Sequence, residues 1–161
     1  MKLRICRLLM LSIVVAIITS FSYPAWGTDV GGNITEDTTW TMANSPYIVT
    51  TTVQVHEGAK LTIDPGVTIR FKQDTGLTIG GELNAIGTEN KRIIFTSHQP
   101  TPVPGDWFGL KFVDSSVDAH YDSNGNYIYG SIVKFSKIEF GGKQNLTIYG
   151  CLLYTSPSPR D

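Results

Sequence analysis

Val53-Gln-Val55-His-Glu-Gly58-Ala59-Lys-Leu61-Thr-Ile63-Asp-Pro65-Gly66-Val67-Thr-Ile69-Arg-Phe71 is the stretch that decides the fold. Apolar and polar residues alternate along three short runs, the pattern of strands with one buried face. Glu57-Gly58 and Asp64-Pro65-Gly66 separate the runs, and these residue types supply the backbone angles that sharp corners need. Leu77-Thr-Ile79, Leu83-Asn-Ala85 and Ile93 to Phe95 repeat the scheme, with turns at Asp74-Thr-Gly76, Gly80-Gly81 and Gly87 to Asn90. Val, Ile, Leu and Phe are the inward residues; Thr62, Thr68, Thr78, Arg70 and Lys72 face water.

Grouped in threes, the strands reveal a period. Val53, Leu61 and Val67 precede Leu77, Leu83 and Ile93 by 24, 22 and 26 residues. Ile34, Trp40 and Tyr47 form an earlier set, offset by 19, 21 and 20. Leu110, Ile132 and Ile138 form a later one, and Leu146 opens a fifth. A period in the low twenties with three short strands per turn predicts a stacked solenoid, each coil placing one strand on each of three parallel sheets. An antiparallel sandwich also has short strands and frequent turns. It would favour hairpin loops between longer strands, whereas these turns recur in phase with the repeat.

Outward from the repeats, composition agrees. Between Thr28 and Gly150 there are 16 Thr, 12 Ile and 9 Val but only 5 Leu and 4 Ala, a β-forming and helix-poor mixture. The same span has nine basic against thirteen acidic side chains, which excludes nucleic-acid binding through a large phosphate-neutralising patch. Residues 1–27 read as an export signal: Lys2, Arg4 and Arg7, an apolar run from Leu8 to Ile18, then Ala25-Trp26-Gly27 before the cut. The apolar run is shorter than the roughly 20 residues that span a bilayer. No second such run follows, so no membrane span is expected after signal removal. Cys6 and Cys151 lie outside the body, which leaves residues 28–150 with no disulfide framework and no thiolate metal site. Residues 151–161, CLLYTSPSPRD, break the repeat and read as an unstructured, non-native tail; an ordinary Ser/Pro linker is the alternative.

The same residues carry a family resemblance. Trp40, Ser45-Pro46-Tyr47-Ile48-Val49 and the stretch through Phe71 resemble the opening coils of secreted bacterial right-handed parallel β-helix repeat proteins. Leu83-Asn-Ala85-Ile-Gly87-Thr88, Ile93 to Ser97, Gly105-Asp-Trp107-Phe-Gly109-Leu110-Lys-Phe112, Asn124-Gly-Asn126-Tyr127 and Ile138-Glu-Phe140-Gly-Gly142 continue it. The resemblance implies an all-β, three-sheet right-handed parallel β-helix, truncated at its C-terminal side as an N-terminal fragment. It implies a secreted or cell-surface scaffold with a binding or structural role and no assigned catalysis, with polysaccharide or cell-surface glycans as partners. The alternative is the N-terminal part of a polysaccharide lyase or glycoside hydrolase of this fold.

Two longer loops flank the strand Leu110 to Phe112: His98 to Asp106, stiffened by Pro100, Pro102 and Pro104, and Asp114 to Asn126. The ligand-binding candidates are Trp107, Asp114, Asp118, His120, Asp122, Asn124 and Asn126. Asp122, Asn124 and Asn126 place oxygens at alternate positions, as a calcium loop begins. The sixth position is Tyr127 and the twelfth Val133, where such a loop needs Gly and Glu. An Asx-rich turn is therefore preferred, no cofactor is assigned, and calcium is the minor alternative. Trp107 is read as a sugar-stacking ring or, preferably, as part of a buried corner. His56, His98 and His120 show no paired ligand spacing. Asn33-Ile-Thr35 and Asn145-Leu-Thr147 are sequons, which matter only in a host that glycosylates them.

Overall fold

The computed structural model describes residues 27–142, and these are strands and turns apart from one 3-10 turn at Met42–Asn44. The signal and the tail lie outside the described residues, as does the strand expected at Leu146. β1 (Thr28–Ile34), β3 (Tyr47–Val55), β5 (Thr68–Phe71), β6 (Leu77–Ile79), β8 (Ile93–Ser97), β9 (Leu110–Phe112) and β13 (Ser136–Ile138) form a seven-stranded sheet. β2 (Thr38–Trp40), β4 (Lys60–Ile63), β7 (Glu82–Ile86) and β12 (Ile132–Lys134) form a four-stranded one. Every pairing in both sheets is parallel. β10 (His120–Tyr121) and β11 (Tyr127–Tyr129) form a separate antiparallel hairpin.

The seven-stranded sheet curls. Tyr47–Val49 of β3 pair with Ile69–Phe71, while Val53–Val55 pair with Leu77–Ile79. β1 follows β3 through both runs, with a register shift between Val30 and Gly32 at the bend. Three parallel ladders result, two in the curled sheet and one in the four-stranded sheet.

Val53 sits opposite Leu77, Leu61 opposite Leu83 and Ile69 opposite Phe95, which are the offsets of 24, 22 and 26 seen in the sequence. The earlier set is corrected. Ile34 faces Val55, Trp40 faces Ile63 and Tyr47 faces Ile69, so its offsets are 21, 23 and 22. The expected values were two residues short. A slip of two keeps every side chain on the same face, so alternation alone cannot detect it. The later set is corrected too: Ile132 faces Asn84, not Leu83, and Ile138 faces Phe95, not Ile93.

The inward residues stack into one core. Val49, Leu61, Val67, Ile69, Phe71, Ile79, Leu83, Ala85, Ile93 and Phe95 are fully buried. Full burial of such side chains stabilises by about 1.5 to 3 kcal/mol each. Near the start of the stack Trp40 lies on Tyr47, rings 4.9 Å apart, and the Tyr47 hydroxyl accepts the Thr41 N–H at 2.8 Å. The tight turns share one design. His56–Ala59, Asp64–Val67 and Lys72–Thr75 are each closed by a bond from the fourth N–H to the first carbonyl, at 3.0, 3.3 and 3.2 Å. Their third residues, Gly58, Gly66 and Asp74, take left-handed angles of 82°, 88° and 61°. Gly76, expected to make the third turn, serves close approach: a Cβ there would sit 3.1 Å from the Gly109 carbonyl.

Candidate functional site

After Phe112 the chain leaves the coil and returns at Ser131. The excursion is an arm built on the β10–β11 hairpin. Its tip is an Asx turn: one oxygen of Asp122 accepts the N–H groups of Asn124 and Asn126 at 2.9 and 2.8 Å, and the other accepts the Asn126 side-chain amide at 2.9 Å. Chiefly through the Asn126 amide, these bonds hold the Asp122 carboxyl below its ordinary value. The arm's base is pinned by Val117, whose N–H donates to Gly81 and whose carbonyl accepts from Ser131. The buried Ser131 hydroxyl accepts the Leu83 N–H at 3.2 Å and so serves the ladder where the chain has only just rejoined it.

The register makes Ile132 and Lys134 outward residues, since their partners Asn84 and Ile86 are outward. Ile132 is nonetheless buried. It shares a groove of about 550 Å³ with the arm, lined by Tyr121, Gly125, Asn126, Tyr127, Ile132 and Lys134. Tyr121 and Tyr127 meet edge to face with centroids 6.1 Å apart. The Tyr127 hydroxyl donates to the Gly130 carbonyl at 2.6 Å, and burial, with the negative charge of Glu82, raises its pKa. Glu82 in turn holds the Lys60 ammonium at 2.8 Å. The arm carries a second aromatic pair, His120 stacked on Tyr129 at 4.4 Å, both exposed. The groove thus offers aromatic edges and faces, an amide and an ammonium over an apolar floor, a set that can grip the C–H faces of a ring and its hydroxyls.

The candidates drawn from sequence separate on this geometry. Trp107 is fully buried, stacked on Phe71 at 4.0 Å, and its indole N–H donates to the Glu139 carbonyl at 2.9 Å. It is a packing residue with no face open to a ligand. Asp114 and Asp118 are exposed before the hairpin, and His120 is exposed on the arm, stacked on Tyr129 and not part of the groove lining. Asp122 and Asn124 build the turn, and of the seven candidates Asn126 lines the groove. Both Asp122 oxygens receive N–H donors of their own turn. Among the described residues no three His, Cys, Asp or Glu side chains gather as metal ligands. Asp106, expected only to end a loop, is buried and ties the proline loop down through Ser97 Oγ at 2.6 Å and the Val103 N–H at 3.0 Å.

Tyr121, Tyr127, Ile132 and Lys134 were not among the candidates. Asn124-Gly125 inside His-Tyr-Asp-Ser-Asn-Gly-Asn-Tyr-Ile-Tyr is a hairpin signal that would have pointed to the tyrosines.

Comparison with known proteins bears on the whole of this architecture. Residues 32–155 match the pectate-lyase-like β-helix domain. The chain belongs to that family. A curated relative, Protein bark beetle of Drosophila melanogaster, is 44% identical over 71 residues, which is 44% of this chain. The aligned part is 2% of that protein's length, so the likeness speaks for the domain and not for the whole fly protein. No solved structure matches the chain. Family membership and the parallel ladders together make this a parallel β-helix protein. Among the described residues no helix is long and apolar enough to cross a membrane.

Proposed function

We propose that the chain belongs to an exported β-helix scaffold, secreted or held at the cell surface, that binds carbohydrate in the groove beside its aromatic arm. The coils are taken as a right-handed, three-faced stack, which the three ladders and the family support. The observation that carries the binding role is the groove itself, which the outward-facing yet buried Ile132 lines together with Tyr121, Tyr127, Asn126 and Lys134. An arm of this kind on a rigid stack is where binding is usually built. The family's description also favours a second role, polysaccharide cleavage. That chemistry needs a positioned base or paired carboxylates. Lys134 is the charged side chain lining this groove, and Glu82 nearby is occupied by Lys60.

The test is a titration of the full chain with a panel of soluble polysaccharides, alongside Y121A and Y127A. Retention of a polysaccharide is expected, weakened in each variant by about 1 kcal/mol, roughly fivefold in Kd. Equal binding by the variants would remove the groove from the argument. New chain ends appearing in the polysaccharide would favour the enzyme instead.

A further inference from the structure

We propose that Asn33 is a site of N-linked glycosylation, an inference that rests on the export proposed above but not on the groove. Asn33-Ile34-Thr35 has the hydroxyl residue two positions after the asparagine that such transfer requires. The fold then presents the asparagine correctly. Ile34 packs against the core, so by strand alternation Asn33 and Thr35 point away from it, and both are exposed. Asn33 pairs with Gln54 on one side, and among the described residues no strand pairs with β1 on its other side. Its amide makes no hydrogen bond to another described residue that would have to be broken. Gly32, left-handed at 77°, turns the chain immediately before it, so a large substituent on Asn33 projects from a corner into open solvent.

In the transfer, Nδ2 of Asn33 attacks the anomeric carbon of a lipid-linked oligosaccharide diphosphate. A C–N bond forms, the bond from that carbon to the diphosphate oxygen breaks, the lipid diphosphate leaves with the electron pair, and the amide gives up one proton. The glycan would stand beside the first strand of the parallel stack. An unpaired strand edge is a template for another chain, and a bulky hydrophilic group beside it obstructs that pairing.

The experiment expresses the full chain in an animal secretory cell line, once with its own leader and once with a proven secretion leader in place of residues 1–27. Secreted protein is treated with peptide N-glycosidase, which leaves aspartate at each glycosylated asparagine, and mapped by mass spectrometry. Conversion at Asn33 is expected in most copies, absent in N33Q and T35A and retained at lower occupancy in T35S. The Asn145 sequon is followed as a separate peptide, so modification there cannot stand in for Asn33. Secreted chain whose Asn33 remains asparagine would overturn the proposal. If only the substituted leader delivers glycosylated protein, the site stands and the export signal falls.

Discussion

Ile79 and Thr78 are neighbours on one strand with opposite fates. Ile79 is fully buried between Val55 and Phe112, whereas Thr78 points outward between Gln54 and Lys111. Ile79→Ala should cost about 2 to 5 kcal/mol, because a ladder fixed by backbone pairing on both sides cannot collapse around the cavity. Thr78→Ala should cost no more than about 1 kcal/mol, the range of strand preference. Denaturant melts of both variants decide this, and equal losses would contradict the alternation. Gly66 offers a different test. It occupies the left-handed position of its turn at 88°, so Gly66→Ala should destabilise by about 1 kcal/mol or more through backbone strain, although the nearest side-chain atom, Met42 Sδ, is 3.4 Å from an added Cβ. At this scale the sequence was largely legible, since period-two alternation separates Ile79 from Thr78 without any structure. Trp107 was not. Its ring chemistry suits a sugar as well as a core, and its stack on Phe71 and bond to the Glu139 carbonyl favour the core.

The arm is the element that carries the proposed function, and its tip depends on one carboxylate. Hydrogen bonds from Asn126 and Asn124 lower the Asp122 pKa in the folded arm. A lowered folded value means that the contribution is present above the ordinary carboxylate range, near pH 4, and is lost as pH falls through the folded value. Protection of the Asn126 side-chain amide, taken relative to its intrinsic exchange rate at each pH, should therefore be present at neutral pH and lost in acid, while amides of β4 and β7 stay protected at both. Asp122→Asn should abolish that pH dependence; NMR of the Asn126 amide reads both outcomes. The arm was only half legible. Asx residues announced a turn, but the one-residue difference between Leu83 and Asn84 as the partner of Ile132 put Ile132 on the wrong face. The strand re-enters the ladder after a long excursion, so no period reaches across it. An isoleucine buried on an outward face also looks like a core residue until its register is known.

For the whole molecule the decisive property is that each coil touches only its neighbours along the stack. Stability in such an architecture is close to a sum of coil and interface contributions. β3, β4, β5, β6, β7 and β8 have parallel partners on both sides, while among the described residues β1, β2, β9, β12 and β13 have one. Local opening should follow that difference, because an outer strand gives up one ladder and a central strand gives up two. Backbone amides of Leu61, Ile63, Ile69 and Leu83 should thus exchange slowest. Those of Thr28–Val30 and Ser136–Ile138 should exchange faster, and the separate hairpin faster still. Leu83→Ala, at a fully buried central rung, should lose about 2 to 5 kcal/mol and accelerate exchange throughout the stack. Val30→Ala, on a partly buried first rung, should accelerate exchange in β1 and adjoining β3 and leave β7 and β8 unchanged. Hydrogen exchange with mass spectrometry on the two variants distinguishes this from a single all-or-none core, in which both substitutions would raise exchange everywhere by one common factor each.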